Sequence, residues 1–357
     1  MMGEPIRKKR IKVLVIDDSV IFRRVLANAV ESDIELDLIG TAADAYIATE
    51  IIERNVPDVI TLDIEMPGMD GLTFLDKLMK QFPLPVIMVS SITKGNKEVC
   101  MDAFQKGALD IINKPDKLKS NDNLFDFYAL VCEKIKGAAK ADIRQKQKQL
   151  IDLSMIKHKA PPVTPIIKTN EIIAIGASAG GTTAIEYILR AMPANMPGMV
   201  ITQHMPKGFT KLFANRLNDI CAMHVKEAED GDAVSQGVVL IAAGGKQMEL
   251  AGTVGNYRVR VFEGEPVNRH RPSVDVLFDS VARIAKTKAT GVILTGMGAD
   301  GAKGLLNMKN AGAYTVAQDE KSSIVYGMPY QAALLGAHKE ILSLNEIPKF
   351  LINQFKK

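Results

Sequence analysis

Cysteine is scarce in this 357-residue chain, and the three present, Cys100, Cys132 and Cys221, are widely spaced and in no metal-ligand pattern. They read as reduced, packed side chains of a cytosolic protein. Excess charge is scarce too: a net +4 offers neither nucleic acid nor a membrane an electrostatic surface. No uninterrupted apolar run approaches membrane-spanning length. The basic start MMGEPIRKKR is not followed by a signal-peptide core, because the apolar run from Ile11 stops at Asp17 and Asp18. The expectation is a soluble cytoplasmic protein that binds no nucleic acid and is not inserted in a membrane. What the chain does have is 47% hydrophobic residues, enough to bury large cores, and a length for which two domains are the natural division.

The first 136 residues hold four apolar runs that end in chemistry. IKVLVIDD (11–18) ends in Asp17 and Asp18, DVITLDIEMPGMDG (58–71) passes through Asp63, PVIMVSS (85–91) carries Ser90, and ALDIINKP (108–115) ends in Lys114. Strands alternating with helical segments predict a parallel, doubly wound sheet whose strand C-termini share one edge, so these five side chains converge. Three carboxylates at one edge repel unless a hard cation with oxygen ligands, such as Mg²⁺, sits among them. A hydroxyl and a lysine beside them suit the acceptor of a phosphoryl group. The stretch resembles a response-regulator receiver domain, most specifically in LDIEMPGMDG. The resemblance implies a flavodoxin-like fold with Asp63 as phosphoacceptor, and Mg²⁺ held by Asp17, Asp18, Asp63 and the Glu65 carbonyl. It also implies phosphoryl contacts from Ser90 and Lys114, and a histidine kinase as donor.

Residues 137–170 set seven basic residues against two acidic ones and include the proline-rich KAPPVTPIIK (159–168). The expectation is a solvated tether, with QKQKQL (145–150) polar all round.

From residue 171 the strand and helix alternation resumes. IIAIGASAGG (172–181) runs from β-branched residues into a small-residue turn that carries Ser178 at its tip. GMVITQ (198–203), GVVLIAA (237–243), GVILTG (291–296) and YTVAQD (314–319) read as further strands, with MEL and YRVRVF flanking Gly252 and Gly255 as an appended antiparallel hairpin. Val274, Leu277, Phe278, Val281 and Ile284 fall on one helical face and belong to the core. A serine needs a base. Of five histidines, His158 lies in the tether, His338 in an Ala/Leu/Gly-rich segment, and His224 and His270 in undiagnostic places. His204 directly follows GMVITQ and emerges at the same edge as Ser178. Asp300, in the glycine-rich TGMGADGAKG after GVILTG, emerges there too. It is either a simple helix cap or the acid that fixes the imidazole tautomer. The same loose turn presents N–H donors, Met297 among them, to a developing oxyanion. The order Ser…His…Asp differs from the α/β-hydrolases. A dinucleotide reading of the glycine turn fares worse, because Ser178 replaces the middle glycine and Gln203-His204 stands where a ribose-binding acid belongs.

GASAGG, QHMPKGFT (203–210), NRHRPSVDVLF (268–278), TGMGADGA and AQDEKSSIVYGMP (317–329), behind a receiver-like stretch, resemble the chemotaxis protein-glutamate methylesterases over nearly the full length. The resemblance implies a receiver at 1–136, a linker at 137–170 and a Rossmann-like catalytic domain at 171–357. It puts nucleophile, base and acid on Ser178, His204 and Asp300, with no cofactor for the esterase reaction. The implied substrates are glutamyl methyl esters, and specific glutamines, on methyl-accepting chemotaxis receptors. The fused receiver is expected to limit access to Ser178 until Asp63 is phosphorylated. This sequence departs from the family at Ala179, where threonine is common, and at Gly245 and Gln247, where Asp and His are frequent. The competing expectation is a two-component response regulator whose output is a non-catalytic or nucleotide-binding α/β module. A DNA-binding output would need a helix-turn-helix, and 171–357 shows none.

Overall fold

The computed structural model describes residues 9–91, 97–115, 121–155 and 170–355. His158, Lys157 and KAPPVTPIIK lie outside the described residues. The chain divides into two compact units between Ile143 and Arg144.

In the first unit, β1 (Ile11–Ile16), α1 (Val20–Glu31), β2 (Leu36–Ala42), α2 (Ala45–Arg54), β3 (Val59–Asp63), α3 (Gly71–Gln81), β4 (Val86–Ser90), α4 (Lys97–Gln105), β5 (Asp110–Asn113) and α5 (Asn121–Ala138) alternate along the chain. The sheet is parallel in the order β2-β1-β3-β4-β5. Strands β3 and β4 are buried at every position, as a sheet covered on both faces requires. Four of these strands match the four apolar runs. The fifth, β2, is an edge strand whose burial is broken by Asp37 and Thr41, so it shows no apolar run.

The second unit opens one residue into α6 (Ile143–Met155) and continues with β6 (Ile172–Ala177), α7 (Gly181–Ala191), β7 (Gly198–Gln203), α8 (Phe209–Ile220), β8 (His224–Glu227) and β9 (Val238–Ile241). Then come β10 (Gln247–Thr253), β11 (Asn256–Phe262), α9 (Val274–Ile284), β12 (Ala289–Ile293), α10 (Ala302–Asn310), β13 (Tyr314–Gln318), α11 (Met328–Leu334), β14 (Glu340–Leu342) and α12 (Glu346–Phe355). Seven strands form a parallel sheet in the order β14-β13-β12-β6-β7-β9-β8, and β10 with β11 makes the separate antiparallel hairpin. Strand order reverses at β6, with β7 on one side and β12 on the other. That is where an open α/β sheet leaves a crevice at its C-terminal edge. The short edge strands β8 and β14 carry no apolar run for a sequence to show.

Val274, Leu277, Phe278 and Val281 of α9 are fully buried, each contributing about 1.5–3 kcal/mol. The helix packs this closely because Gly176 of β6 has no side chain: a Cβ there would lie 2.2 Å from Val274 Cγ1. The hairpin covers the helix from the other side, with the Leu250 N–H donating to Ser280 Oγ at 2.7 Å.

Within the stretch expected as a tether, α6 is a packed part of the second unit. Lys146 Nζ donates to Thr183 Oγ1 at 2.5 Å, Gln149 Nε2 to the Ser322 carbonyl at 2.7 Å, and Arg190 to the Leu153 carbonyl at 2.7 Å. Lys146 and Gln149 are both buried. A helix without an apolar stripe reads as solvated, yet this one is bound through polar partners on α7 and on the 319–325 loop. Cys132 is buried and Cys221 half-buried, both as free thiols; the Cys100 side chain lies outside the described residues.

Candidate active site

Ser178 stands between β6 and α7, and its backbone is pinned from both neighbouring strands. Its N–H donates to the Thr295 carbonyl at 3.1 Å, and Gln203 Nε2 donates to its carbonyl at 2.9 Å. Gly296 allows the close approach, since a Cβ there would fall 2.8 Å from Ser178 Cβ. β6 and β7 pair Ala177 with Gln203, so Ser178 and His204 leave adjacent strands at matching positions. The His204 N–H donates to the Ala177 carbonyl at 3.1 Å.

His204 Nε2 lies 2.7 Å from Asp300 Oδ2, with both side chains almost fully buried. The carboxylate is saturated with donors. Val274 N–H reaches Oδ2 at 2.7 Å; Asn268 Nδ2 and Ser273 Oγ reach Oδ1 at 2.7 Å, and Asp275 N–H at 3.2 Å. Asp300 therefore caps a helix, but the helix is α9, from a different segment. Its own helix, α10, is capped by Gly301 without a side-chain bond. Ser273, the N-cap residue of α9, makes no capping bond and spends its hydroxyl on Asp300. Burial opposes the charge of Asp300, yet the His204, Asn268 and Ser273 partners together hold its carboxyl well below the usual range. The positive end of α9 acts in the same direction. Met297 is half-buried in the turn before Asp300.

Three residues to which the sequence reading gave no role, Asn268, Asp275 and His270, complete the surroundings. Asn268 bridges Asp300 and Asp275, the latter at 2.8 Å. Burial, together with the charge of Asp300, raises the Asp275 carboxyl. The His270 ring stacks on His204, with centroids 3.7 Å apart and planes 14° from parallel. The signal lay in NRHRPS, whose polar residues sit just before an apolar helix.

In the first unit, the carboxylates of Asp17, Asp18 and Asp63 each place an oxygen within 4.8 Å of the others. Lys114 Nζ bridges Asp17 at 2.7 Å and Asp63 at 2.6 Å. Burial, with the charge of Asp17, pushes Asp63 up to about 6 against the pull of Lys114, and Asp17 is raised for the same first reason. Ser90 is buried at the end of β4 and its hydroxyl donates to the Ser91 carbonyl at 3.2 Å. The Glu65 N–H approaches Asp63 Oδ1 at 3.4 Å, while the Glu65 side chain points outward. A single lysine leaves two buried carboxylates undercompensated, and the donors are hard oxygens. The group fits a divalent cation.

The sequence profile of the family described as CheB methylesterase matches residues 173–351, and that of the response regulator receiver domain matches 13–121. A protein-glutamate methylesterase/protein-glutamine glutaminase of Pectobacterium atrosepticum is 46% identical over 345 residues, covering 97% of each chain. The Salmonella typhimurium protein of that name is 45% identical over 347 residues, covering 96% of each. The chain belongs to the CheB methylesterase family. The crystal structure of the Thermotoga maritima CheB methylesterase catalytic domain, 38% identical, covers 53% of this chain and all of that one with a TM-score of 0.51.

Gly245 and Gln247, expected from the sequence to depart from the family pattern, have local roles in this structure. Gln247 Oε1 accepts from the Ser273 N–H at 2.9 Å, and its Nε2 donates to the Glu265 and His270 carbonyls at 3.0 and 3.2 Å. The Gly245 N–H donates to the Arg271 carbonyl at 2.9 Å. Both tie down the loop that surrounds Asp300. Ala179 is buried and its carbonyl accepts from Thr295 Oγ1 at 3.0 Å, so a hydroxyl on its side chain is not needed to hold the turn. No helix among the described residues is long and apolar enough to cross a membrane.

Proposed function

We propose that this protein hydrolyses γ-glutamyl methyl esters on methyl-accepting chemotaxis receptors in the cytoplasm, and deamidates specific receptor glutamines, under control of phosphorylation at Asp63. The observation that carries the reading is the buried 2.7 Å contact between His204 Nε2 and Asp300 Oδ2, made at the end of the two strands that flank the one leading to Ser178. With Nε2 committed to Asp300, Nδ1 is the nitrogen that takes the Ser178 proton. Ser178 Oγ attacks the side-chain carbonyl, and the oxyanion is met by backbone N–H groups, with Met297 and the start of α7 as donors. His204 returns the proton to the leaving group, which departs as methanol from an ester or ammonia from an amide. Water deprotonated by His204 then releases the carboxylate and restores Ser178. This chemistry needs no cofactor.

In the receiver, Asp63 attacks the phosphoryl group brought by a histidine kinase. Lys114 neutralises the phosphoryl oxygens and the Ser90 hydroxyl donates to them. Asp17, Asp18, Asp63 and the Glu65 carbonyl would hold Mg²⁺, which when bound supplies charge neutralisation at the phosphoryl oxygens. The test is methanol release from methylated receptor membranes, with and without a small phosphodonor. Wild type should release methanol faster with the donor and Ser178→Ala should release none. Full methanol release by Ser178→Ala would sink the assignment.

A further inference from the structure

One short turn serves both ends of the His204–Asp300 pair. Val267 and His270 exchange two backbone hydrogen bonds of 3.1 and 2.9 Å across Asn268 and Arg269, whose φ values are 52° and 67°. Left-handed backbone at a non-glycine residue costs about 1–3 kcal/mol and persists only where the surroundings enforce it. Here Gln247 enforces it, bonding the His270 carbonyl on one side and the Ser273 N–H on the other. The outcome is two side chains delivered to neighbouring groups. Asn268 donates both amide hydrogens to carboxylates, one to Asp300 Oδ1 at 2.7 Å and one to Asp275 Oδ2 at 2.8 Å. His270 lays its ring flat against His204 at 3.7 Å between centroids.

We infer that Asn268 and His270 are positioning residues for the esterase reaction: Asn268 fixes the plane of the Asp300 carboxylate and His270 fixes the plane of the His204 imidazole. The inference rests on the Ser178, His204 and Asp300 reading. An imidazole tilting about its Nε2 hydrogen bond would sweep Nδ1 across the space where the serine hydroxyl must be met. A flat group packed on its face removes the tilt, and an amide anchored on Asp275 that donates to Asp300 Oδ1 restrains the matching motion at the other end. The strained turn is the device that puts both groups in place from one loop, and the hairpin residue Gln247 is what holds it.

The experiment is steady-state methanol release by the full-length protein, comparing wild type with Ser178→Ala, His270→Ala, His270→Phe and Asn268→Ala. Each is paired with thermal unfolding and with the ¹H resonance of the His204 proton shared with Asp300. His270→Ala and Asn268→Ala should lower kcat by about 10- to 100-fold with KM unchanged, the size usual for groups that orient a reacting side chain. His270→Phe, which keeps a flat ring but no ring nitrogens, should recover most of the turnover and a sharp shared-proton resonance. If His270→Ala unfolds, His270→Phe and Asn268→Ala decide. Wild-type turnover in Asn268→Ala, or a His270→Phe as impaired as His270→Ala, overturns the inference, as does a loss carried by KM. An active Ser178→Ala overturns the underlying triad instead, which is a different result from an inactive Ser178→Ala beside an unimpaired Asn268→Ala.

Discussion

Asp63 and Asp300 occupy matching places in two different sheets, each buried beside a C-terminal strand edge, and they are driven to opposite electrostatic states. Asp63 shares one lysine with Asp17, has a long contact to a single N–H, and is pushed up to about 6. Asp300 has five donors on its two oxygens and a helix N-terminus behind it, and lies well below the usual carboxylate range. Burial raises both; partners decide the outcome. The first site is short of positive charge, and on the proposed function it is the one that accepts a cation and a phosphoryl group. The second is a finished one, an anion with nothing left to bind except the imidazole it orients.

The contrast is breakable in graded ways. The largest effect is expected from Asp300→Asn, which keeps the shape but removes the charge that selects the His204 tautomer, and kcat should fall by about 10⁴-fold in methanol release. Asp63→Asn should abolish the response to a phosphodonor while leaving the unstimulated rate intact. Next, Mg²⁺ should raise the unfolding temperature of the wild-type receiver transition, by about 2.7 kcal/mol of stability at a hundred times its dissociation constant. Asp17→Asn should shrink that gain, and EDTA should reverse it. No comparable metal effect is expected on the transition of the second unit.

The smallest effect concerns a third buried charge, Lys146 of α6, which burial lowers to about 8 although Glu186 pulls the other way. The unfolded chain holds the Lys146 proton up to its ordinary 10.5. The unfavourable contribution is therefore fully present below about pH 8 and is relieved as pH rises toward 10.5, so stability increases through that window. Lys146→Met should flatten this slope and gain on the order of 1–3 kcal/mol at pH 7, measured by denaturation at pH 7 and pH 10.

The sheets were legible because central strands are continuous apolar runs that end in their chemistry, and Ser178, His204 and Asp300 each follow such a run. The edge strands β2, β8 and β14 were not, since an edge strand alternates with solvent and three or four residues carry no period. The packed state of α6 was hidden for a related reason: it is held by Lys146, Gln149 and a backbone carbonyl, and polar residues that find buried partners look like solvated ones. The surroundings of Asp300 were hidden by distance. Asn268, Ser273 and Val274 lie some thirty residues before it in the chain, and only the packing of α9 on Gly176 brings them to it.

Because the acid is gripped by the first turn of α9 and not by the loop that carries it, carrier and holder are separate parts. Ala299, exposed next to it, can be exchanged to reshape the rim of the crevice while the carboxylate stays put; Gly298, with a φ of 80°, is kept. A library at Ala299 is a route to altered substrate preference that leaves the His204–Asp300 pair in place.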